Sequence, residues 1–131
     1  TTGFGWPIVP DALREWLIMF RARYRAALPP IVITESGCSY ADAPDRDGEV
    51  DDQQRIDYHE AHLAAVATAI QRGVDIRGYY AWSLVDNFEW AEGYTQRFGL
   101  VHVDYETQAR TPKKSFAWYR DLIAAQSQHA G

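Results

Sequence analysis

A glutamate at the end of an apolar strand is the residue in this chain best placed to do chemistry. Ile31-Val32-Ile33-Thr34 is a β-branched run that reads as a buried strand. Glu35-Ser36-Gly37 follows at once, so the strand delivers a carboxylate to the rim of a core. A second segment, GYYAWSLVDNFEW from Gly78 to Trp90, repeats the pattern: an aromatic run gives way to Asp86, Asn87 and Glu89 among Trp82, Phe88 and Trp90. Stacking faces beside paired polar groups suit a sugar, because an indole covers the apolar face of a pyranose while its N–H reaches a hydroxyl. Hydrolysis of a glycoside needs two carboxylates, one to protonate the leaving oxygen and one to attack or to activate water. On residue types alone, a strand-end glutamate held in a salt bridge competes with a catalytic Glu35, and core packing competes with sugar stacking for Trp82 and Trp90.

The elements that position these residues follow from periodicity. Trp6 to Pro10 is an extended lead-in, Asp11 is the expected N-cap, and Leu13, Trp16, Leu17, Phe20 and Tyr24 recur at helical spacing. Pro29 and Pro30 stop that helix and lead into a strand over Ile31 to Thr34. Tyr40 to Asp52 is rich in Asp, Pro and Gly and reads as a long exposed loop. A second helix is expected from Gln53 to Arg72, with Ile56, Leu63, Val66 and Ile70 inward and Gly73 as its stop. The second strand is expected over Arg77 to Ser83, a loop over Asp86 to Thr95, and a short hairpin strand within Phe98 to Tyr105. Thr111-Pro112 reads as the N-cap and first position of a last helix ending near Ala125. Alternation of helix and strand implies parallel strands covered by helices. Tyr79 and Tyr80 must then point to opposite faces.

Composition narrows the class. The chain of 131 residues is 47% hydrophobic and 14% aromatic, enough for a real core. Its formal charge is −5 and its Lys and Arg are scattered, which argues against nucleic acid as a partner. No stretch approaches the roughly 20 apolar residues that span a bilayer. The single cysteine, Cys38, has no partner for an internal disulfide and no metal-spaced companions; a lone thiol of this kind fits a reducing, cytoplasmic compartment and an inert structural role. His59-Glu60-Ala61-His62 spaces its histidines three apart, not the four of a zinc helix, so a solvated or capping role is expected. The acidic residues from Asp42 to Asp52 lack the alternation of a calcium loop and are expected to be solvated. No cofactor or metal is expected.

Taken together, the motifs I-T-E-S-G, W-S-L-V-D-N-F-E-W-A-E-G-Y, R-F-G-L-V-H-V-D-Y and R-T-P-K-K-S resemble the C-terminal part of a family 1 glycoside hydrolase, the β-glucosidase family, from about Gly5 to about Ile123. The resemblance implies an α/β chain made of the last strand-helix units of a (β/α)8 TIM barrel. Such a barrel needs eight units and typically about 250 residues, so this chain is expected to be an incomplete barrel on its own and a single structural unit over 1–131. It begins Thr-Thr-Gly-Phe and is expected to be a piece of a longer polypeptide.

By the same resemblance Glu35 is the nucleophile of a retaining enzyme, forming a covalent glycosyl ester. Trp82, Glu89, Trp90 and Phe98 bind the glycone, and the family places a cis bond after Trp82. One position departs from the family pattern: Ser36 stands where asparagine is usual. The acid/base glutamate of the family lies in an upstream Asn-Glu-Pro motif that this chain lacks, so the isolated chain is expected to be inactive or severely impaired. The expected partners are a β-glucoside or short oligosaccharide, together with the missing N-terminal part of the barrel or further copies of the chain. Two other readings stay open: a non-catalytic carbohydrate-binding module, and a fragment that self-assembles into a barrel-like oligomer.

Overall fold

A computed structural model describes residues 1–127; residues 128–131, the end of the expected unit, lie outside that description. The elements in chain order are α1 (Pro10–Tyr24), β1 (Ile31–Ser36), α2 (Gln53–Gln71), β2 (Ile76–Ala81), β3 (Val101–Val103), β4 (Arg110–Pro112) and α3 (Lys114–Ser127). Strands β1 and β2 pair in parallel, joined through α2, and β3 and β4 form a separate antiparallel pair. The expected α/β alternation is present.

Helix α1 opens at Pro10 with Val9 as its N-cap, so Asp11 is not the cap. Proline fits the first helical position because its missing N–H has no intrahelical acceptor there. Asp11 instead lies in the first turn and pairs with Arg14 at 2.7 Å. Of the expected stripe Leu17 is buried and Leu13 and Phe20 partly so, while Trp16 and Tyr24 are exposed and flank Phe20. Helix α2 ends in two reciprocal bonds: Gly73, at φ +88°, donates to Ile70 at 2.8 Å, and Val74 donates to Ala69 at 3.1 Å. That closure is the left-handed glycine stop expected of Gly73. Ile70 is exposed, contrary to expectation, because Ala69 and Val74 take the inward positions at this end.

The core consists of Leu17, Val66, Ala69 and Val74, with Leu13, Ile18, Ile31, Ile33, Ile76 and Tyr79 packed against it. Helices α1 and α2 thus cover one face of the two-stranded sheet. Strand alternation turns Val32 and Tyr80 away from that core, and they are 45% and 62% exposed. Parallel sheets are ordinarily buried on both faces; here one face is open.

Two segments differ from the sequence expectation. The alternating strand from Phe98 to Tyr105 is reduced to β3, and all three of its residues are buried because the chain after β2 lies alongside it, with Val101 N–H donating to Leu84 O at 3.0 Å and Asp86 N–H to Val101 O at 3.0 Å. Thr111 and Pro112 do not start the last helix: they belong to β4, where Thr111 pairs with His102 and Pro112 with Val101. Proline is tolerated in so short an edge strand. The last helix begins at Lys114, and Asp52 caps its start from a distance, accepting the Ser115 N–H at 2.8 Å and its hydroxyl at 2.5 Å.

Candidate active site

Strand β1 continues past Thr34 through Glu35 to Ser36. From Ile33 to Ser36 the strand advances three residues while its partner advances two, from Tyr79 to Ala81. The extra residue is a bulge, a device that re-aims a side chain at the end of a strand. Ile33 packs on the helix side, and Ser36 returns to that side, where its hydroxyl accepts a hydrogen bond from Tyr79 at 2.9 Å. Glu35, within the bulge, is exposed and forms no ion pair or hydrogen bond among the described residues. The salt-bridged strand end that competed for this residue is absent there.

Beyond Glu35 the chain meets the second motif directly. Trp82 N–H donates to Ser36 O at 2.8 Å, prolonging the pairing past β2. Gly37 is required here, since a Cβ at that position would stand 1.9 Å from the Trp82 carbonyl oxygen. The Trp82–Ser83 peptide is cis, as the resemblance implied. Ser83 then bonds the Phe98 segment from both sides: its N–H donates to Phe98 O at 3.1 Å and its carbonyl accepts from Leu100 at 2.9 Å.

Glu35, Ser36, Trp82 and Phe98 line one cavity of about 450 Å³, together with Trp6, Tyr58 and His62. Trp82 is 36% exposed and Phe98 is buried, so the indole is a wall and the phenyl ring a floor. Phe98 lies 5.8 Å from Phe4, which stacks on Trp6 at 4.8 Å. Glu89 and Trp90 do not join this group. They sit on a separate loop where Glu89 is half-buried and Trp90 is 84% exposed, so core packing does not account for Trp90.

Three lining residues escaped the sequence reading. Trp6 lay in a segment with no periodicity, and only its indole beside a glycine hinted at a site. Tyr58 and His62 share one face of α2 at a spacing of four, with rings 4.0 Å apart. Neither histidine is solvated, contrary to expectation: His59 and His62 are buried, and His62 Nδ1 lies 2.7 Å from Tyr58 O. Packing of α2 against Tyr79 of β2 and against Trp118 and Tyr119 of α3 encloses His59, and Tyr58 stacks on His62. Burial, Arg55 and His62 push His59 down to about 4, with Asp52 opposing them, so its ring is neutral over most of the pH range.

Beneath the site lies a buried ionic network. Arg55 pairs with Asp42 and with Asp52 (2.9 Å), Lys113 with Asp42 (2.7 Å) and Asp86 (3.1 Å), and Arg97 with Asp86 (2.8 Å). Arg55 also donates to the carbonyls of Cys38 and Arg97. Three cations thus meet three carboxylates, which satisfies the rule that buried charges are paired. Asp42 and Asp52, expected to be solvated loop residues, are members of it, and Asp86 is fully engaged by Arg97, Lys113 and the Gly99 N–H. No cluster fit to hold a metal occurs among the described residues. No helix among them is long and apolar enough to cross a membrane.

A carboxylate without a partner among the described residues thus stands beside an indole and a deep phenyl ring. Residues 1–128 match the profile of Glycosyl hydrolase family 1, and the chain belongs to that family. It is similar to the bifunctional beta-D-glucosidase/beta-D-fucosidase of Bifidobacterium breve, 52% identical over 130 residues, which cover 96% of this chain and 28% of that protein. Among solved structures it resembles the psychrophilic β-glucosidase BglU of Micrococcus antarcticus, with a TM-score of 0.92 and 52% identity over 95% of this chain and 26% of that one. It also resembles the β-glucosidase of Thermotoga maritima in complex with glucoimidazole, with a TM-score of 0.91 and 47% identity over 95% of this chain and 28% of that one. The chain therefore spans about a quarter of the length of the relatives it matches.

Proposed function

We propose that this chain is the C-terminal segment of a retaining β-glucosidase and contributes the last strand-helix units of its (β/α)8 barrel. Glu35 is the nucleophile that forms the covalent glycosyl ester, and Trp82, Glu89, Trp90 and Phe98 hold the glycone. The observation that carries this reading is the bulge: it turns Glu35, unpaired, into a cavity walled by Trp82 and floored by Phe98. Catalytic groups in such barrels gather at the C-terminal ends of the strands, which is where Glu35 stands.

The second carboxylate comes from outside the chain. A retaining pair stands roughly 5 to 5.5 Å apart, and the carboxylates that line this cavity are reduced to Glu35. The open sheet face with Val32 and Tyr80 takes the upstream strands of the barrel or further copies of the chain. Cytoplasmic location is proposed on the single unpaired thiol.

The test is intact mass after incubation with a 2-fluoro-glucoside carrying a very good leaving group. Such a group departs without acid help, and fluorine slows the water step, so a competent nucleophile is trapped as its sugar ester. The expected result is one added sugar mapped to Glu35, and hydrolysis restored when the upstream segment is supplied. A folded chain that takes no label with that segment present refutes the assignment.

A further inference from the structure

One buried group near the site is left unused by the reading above. His59 is fully buried, its Nδ1 stands 2.9 Å from the Tyr79 hydroxyl, and its Nε2 has no hydrogen-bond partner among the described residues. The Tyr79 hydroxyl is in turn 2.9 Å from Ser36 Oγ, and Ser36 lines the cavity next to Glu35. Tyr58, which lines the same cavity, brings its hydroxyl to Ser36 and to the Gly37 backbone. A hydrogen-bonded chain therefore runs from helix α2 through strand β2 to the bulge.

Such a chain has a direction, because each hydroxyl brings one hydrogen and a neutral imidazole brings one N–H. With the proton on Nδ1, His59 donates to Tyr79, Tyr79 donates to Ser36, and the Ser36 hydrogen is left for the cavity side, where the Tyr58 hydroxyl accepts it until a ligand oxygen takes that place. With the proton on Nε2 every bond reverses and Ser36 spends its hydrogen on Tyr79. The environment of His59 separates the two. Reversal would leave an Nε2–H buried with no acceptor, and orphaned buried N–H groups are rarer than under-satisfied acceptors. Burial together with Arg55 and His62 keeps the ring neutral, with a single proton to place.

We propose that His59 and Tyr79 are positioning residues that fix Ser36 as a hydrogen-bond donor aimed into the cavity beside Glu35, toward an oxygen of the bound sugar. This rests on the reading of that cavity as the glycone site. Ser36 is also the position that departs from the usual asparagine of the family.

Two measurements test it. Long-range ¹H–¹⁵N correlation of His59 in the ¹⁵N-labelled chain at pH 7 should show Nδ1 protonated and Nε2 bare; the opposite tautomer overturns the proposal. The second is the rate of trapping by the 2-fluoro-glucoside, expected to fall about tenfold in Ser36→Ala, in Tyr79→Phe and in His59→Leu, the loss of one hydrogen bond. The Tyr79→Phe/His59→Leu double variant should be no slower than either single one, and His59→Asn, whose amide N–H stands near the place of Nδ1–H, should recover the rate. Unchanged trapping in Ser36→Ala, or no recovery in a folded His59→Asn, overturns it. If His59→Leu does not fold, Tyr79→Phe, which removes one oxygen, carries that arm. A folded wild-type chain that takes no label with the upstream segment present defeats the nucleophile assignment, and the tautomer alone then decides the direction of the chain.

Discussion

Gly37 and Trp82 touch backbone to backbone, with room for no side chain: a Cβ on residue 37 would lie 1.9 Å from the Trp82 carbonyl oxygen and 2.9 Å from its carbonyl carbon. The contact sets the distance between the end of β1, which carries Glu35, and the indole that walls the cavity. Gly37→Ala must push the two motifs apart, and because the obstructing atoms are backbone, no rotamer change relieves it. The expected outcome is a stability loss of about 1 to 3 kcal/mol, the usual cost of overpacking, with a larger proportional loss of glucoimidazole binding followed by tryptophan fluorescence. A variant that keeps both binding and melting behaviour would show that the contact does not position Trp82.

The buried ionic network makes a prediction about stability. Removing one member leaves an opposite charge in the interior without compensation, which costs about 3 to 5 kcal/mol. Lys113→Met takes one of two cations from each of Asp42 and Asp86, which keep Arg55 and Arg97, and Arg55→Met leaves Asp52 with no cation and Asp42 with Lys113 alone; either leaves the network one positive charge short, so both should lower the urea midpoint, Arg55→Met the more. Arg14→Ala removes only exposed pairs with Asp11 and Glu15 and should change the midpoint little. Equal effects of Lys113→Met and Arg14→Ala would mean that the network is hydrated in solution.

What the sequence made legible, and what it hid, divides along this network. Both parallel strands, the Gly73 stop and the placing of Glu35 at a strand end follow from β-branching, periodicity and glycine chemistry, all local signals. The bulge depends on how β1 pairs with β2, and it was not legible from either strand alone. Asp42 read as a solvated loop residue because its partners, Arg55 and Lys113, lie 13 and 71 residues away, and Asp52 because Ser115, which it caps, lies 63 away. Thr111-Pro112 carries a genuine helix-start signal that lost to pairing with β3, a nonlocal competitor. His59 and His62 were misread as solvated because the aromatic shell around them, Tyr58, Tyr79, Trp118 and Tyr119, is assembled from three elements.

The neutral, buried His59 makes stability depend on pH in a defined window. Its folded value is pushed down to about 4, against about 6.5 for an unfolded histidine. Between those values the unfolded chain holds a proton that the folded chain does not, so stability rises with pH. The contribution is complete above pH 6.5 and is lost as pH falls toward 4, by up to about 3 kcal/mol at 1.36 kcal/mol per unit. His59→Asn cannot titrate there, so wild type minus variant isolates the effect from the carboxylates. Parallel stability curves for the two proteins from pH 4 to 7 would rule it out.

Cys38 offers a check on the packing of the loop beside Glu35. It is buried, and desolvation pushes its thiol up to about 12, with Arg55 opposing and Asp42 assisting. The reactive species is the thiolate, which is then scarce at neutral pH. Ellman's reagent at pH 8 should react on the timescale of unfolding and much faster in urea. Immediate reaction of the native chain would mean that the loop from Cys38 to Asp52 opens far more readily than its ionic anchors imply.

The charge of the cavity predicts which glycones it refuses. Glu35 is the one carboxylate among its lining residues, no Lys or Arg lines it, and the cations of the buried network, Arg55, Arg97 and Lys113, are spent on Asp42, Asp52 and Asp86. A phosphate on the sugar would bring about two negative charges with no guanidinium or ammonium to receive them and a carboxylate close by. With the upstream segment supplied, neutral 2-fluoro-glucosides should therefore trap Glu35 while their 6-phosphorylated counterparts trap it at least about a hundredfold more slowly, a difference of roughly 2.8 kcal/mol. Raising the salt should narrow the gap by screening the repulsion. Equal trapping at low salt would require a cation in the assembled site that this chain does not provide, and would move the choice of glycone to the upstream part of the barrel.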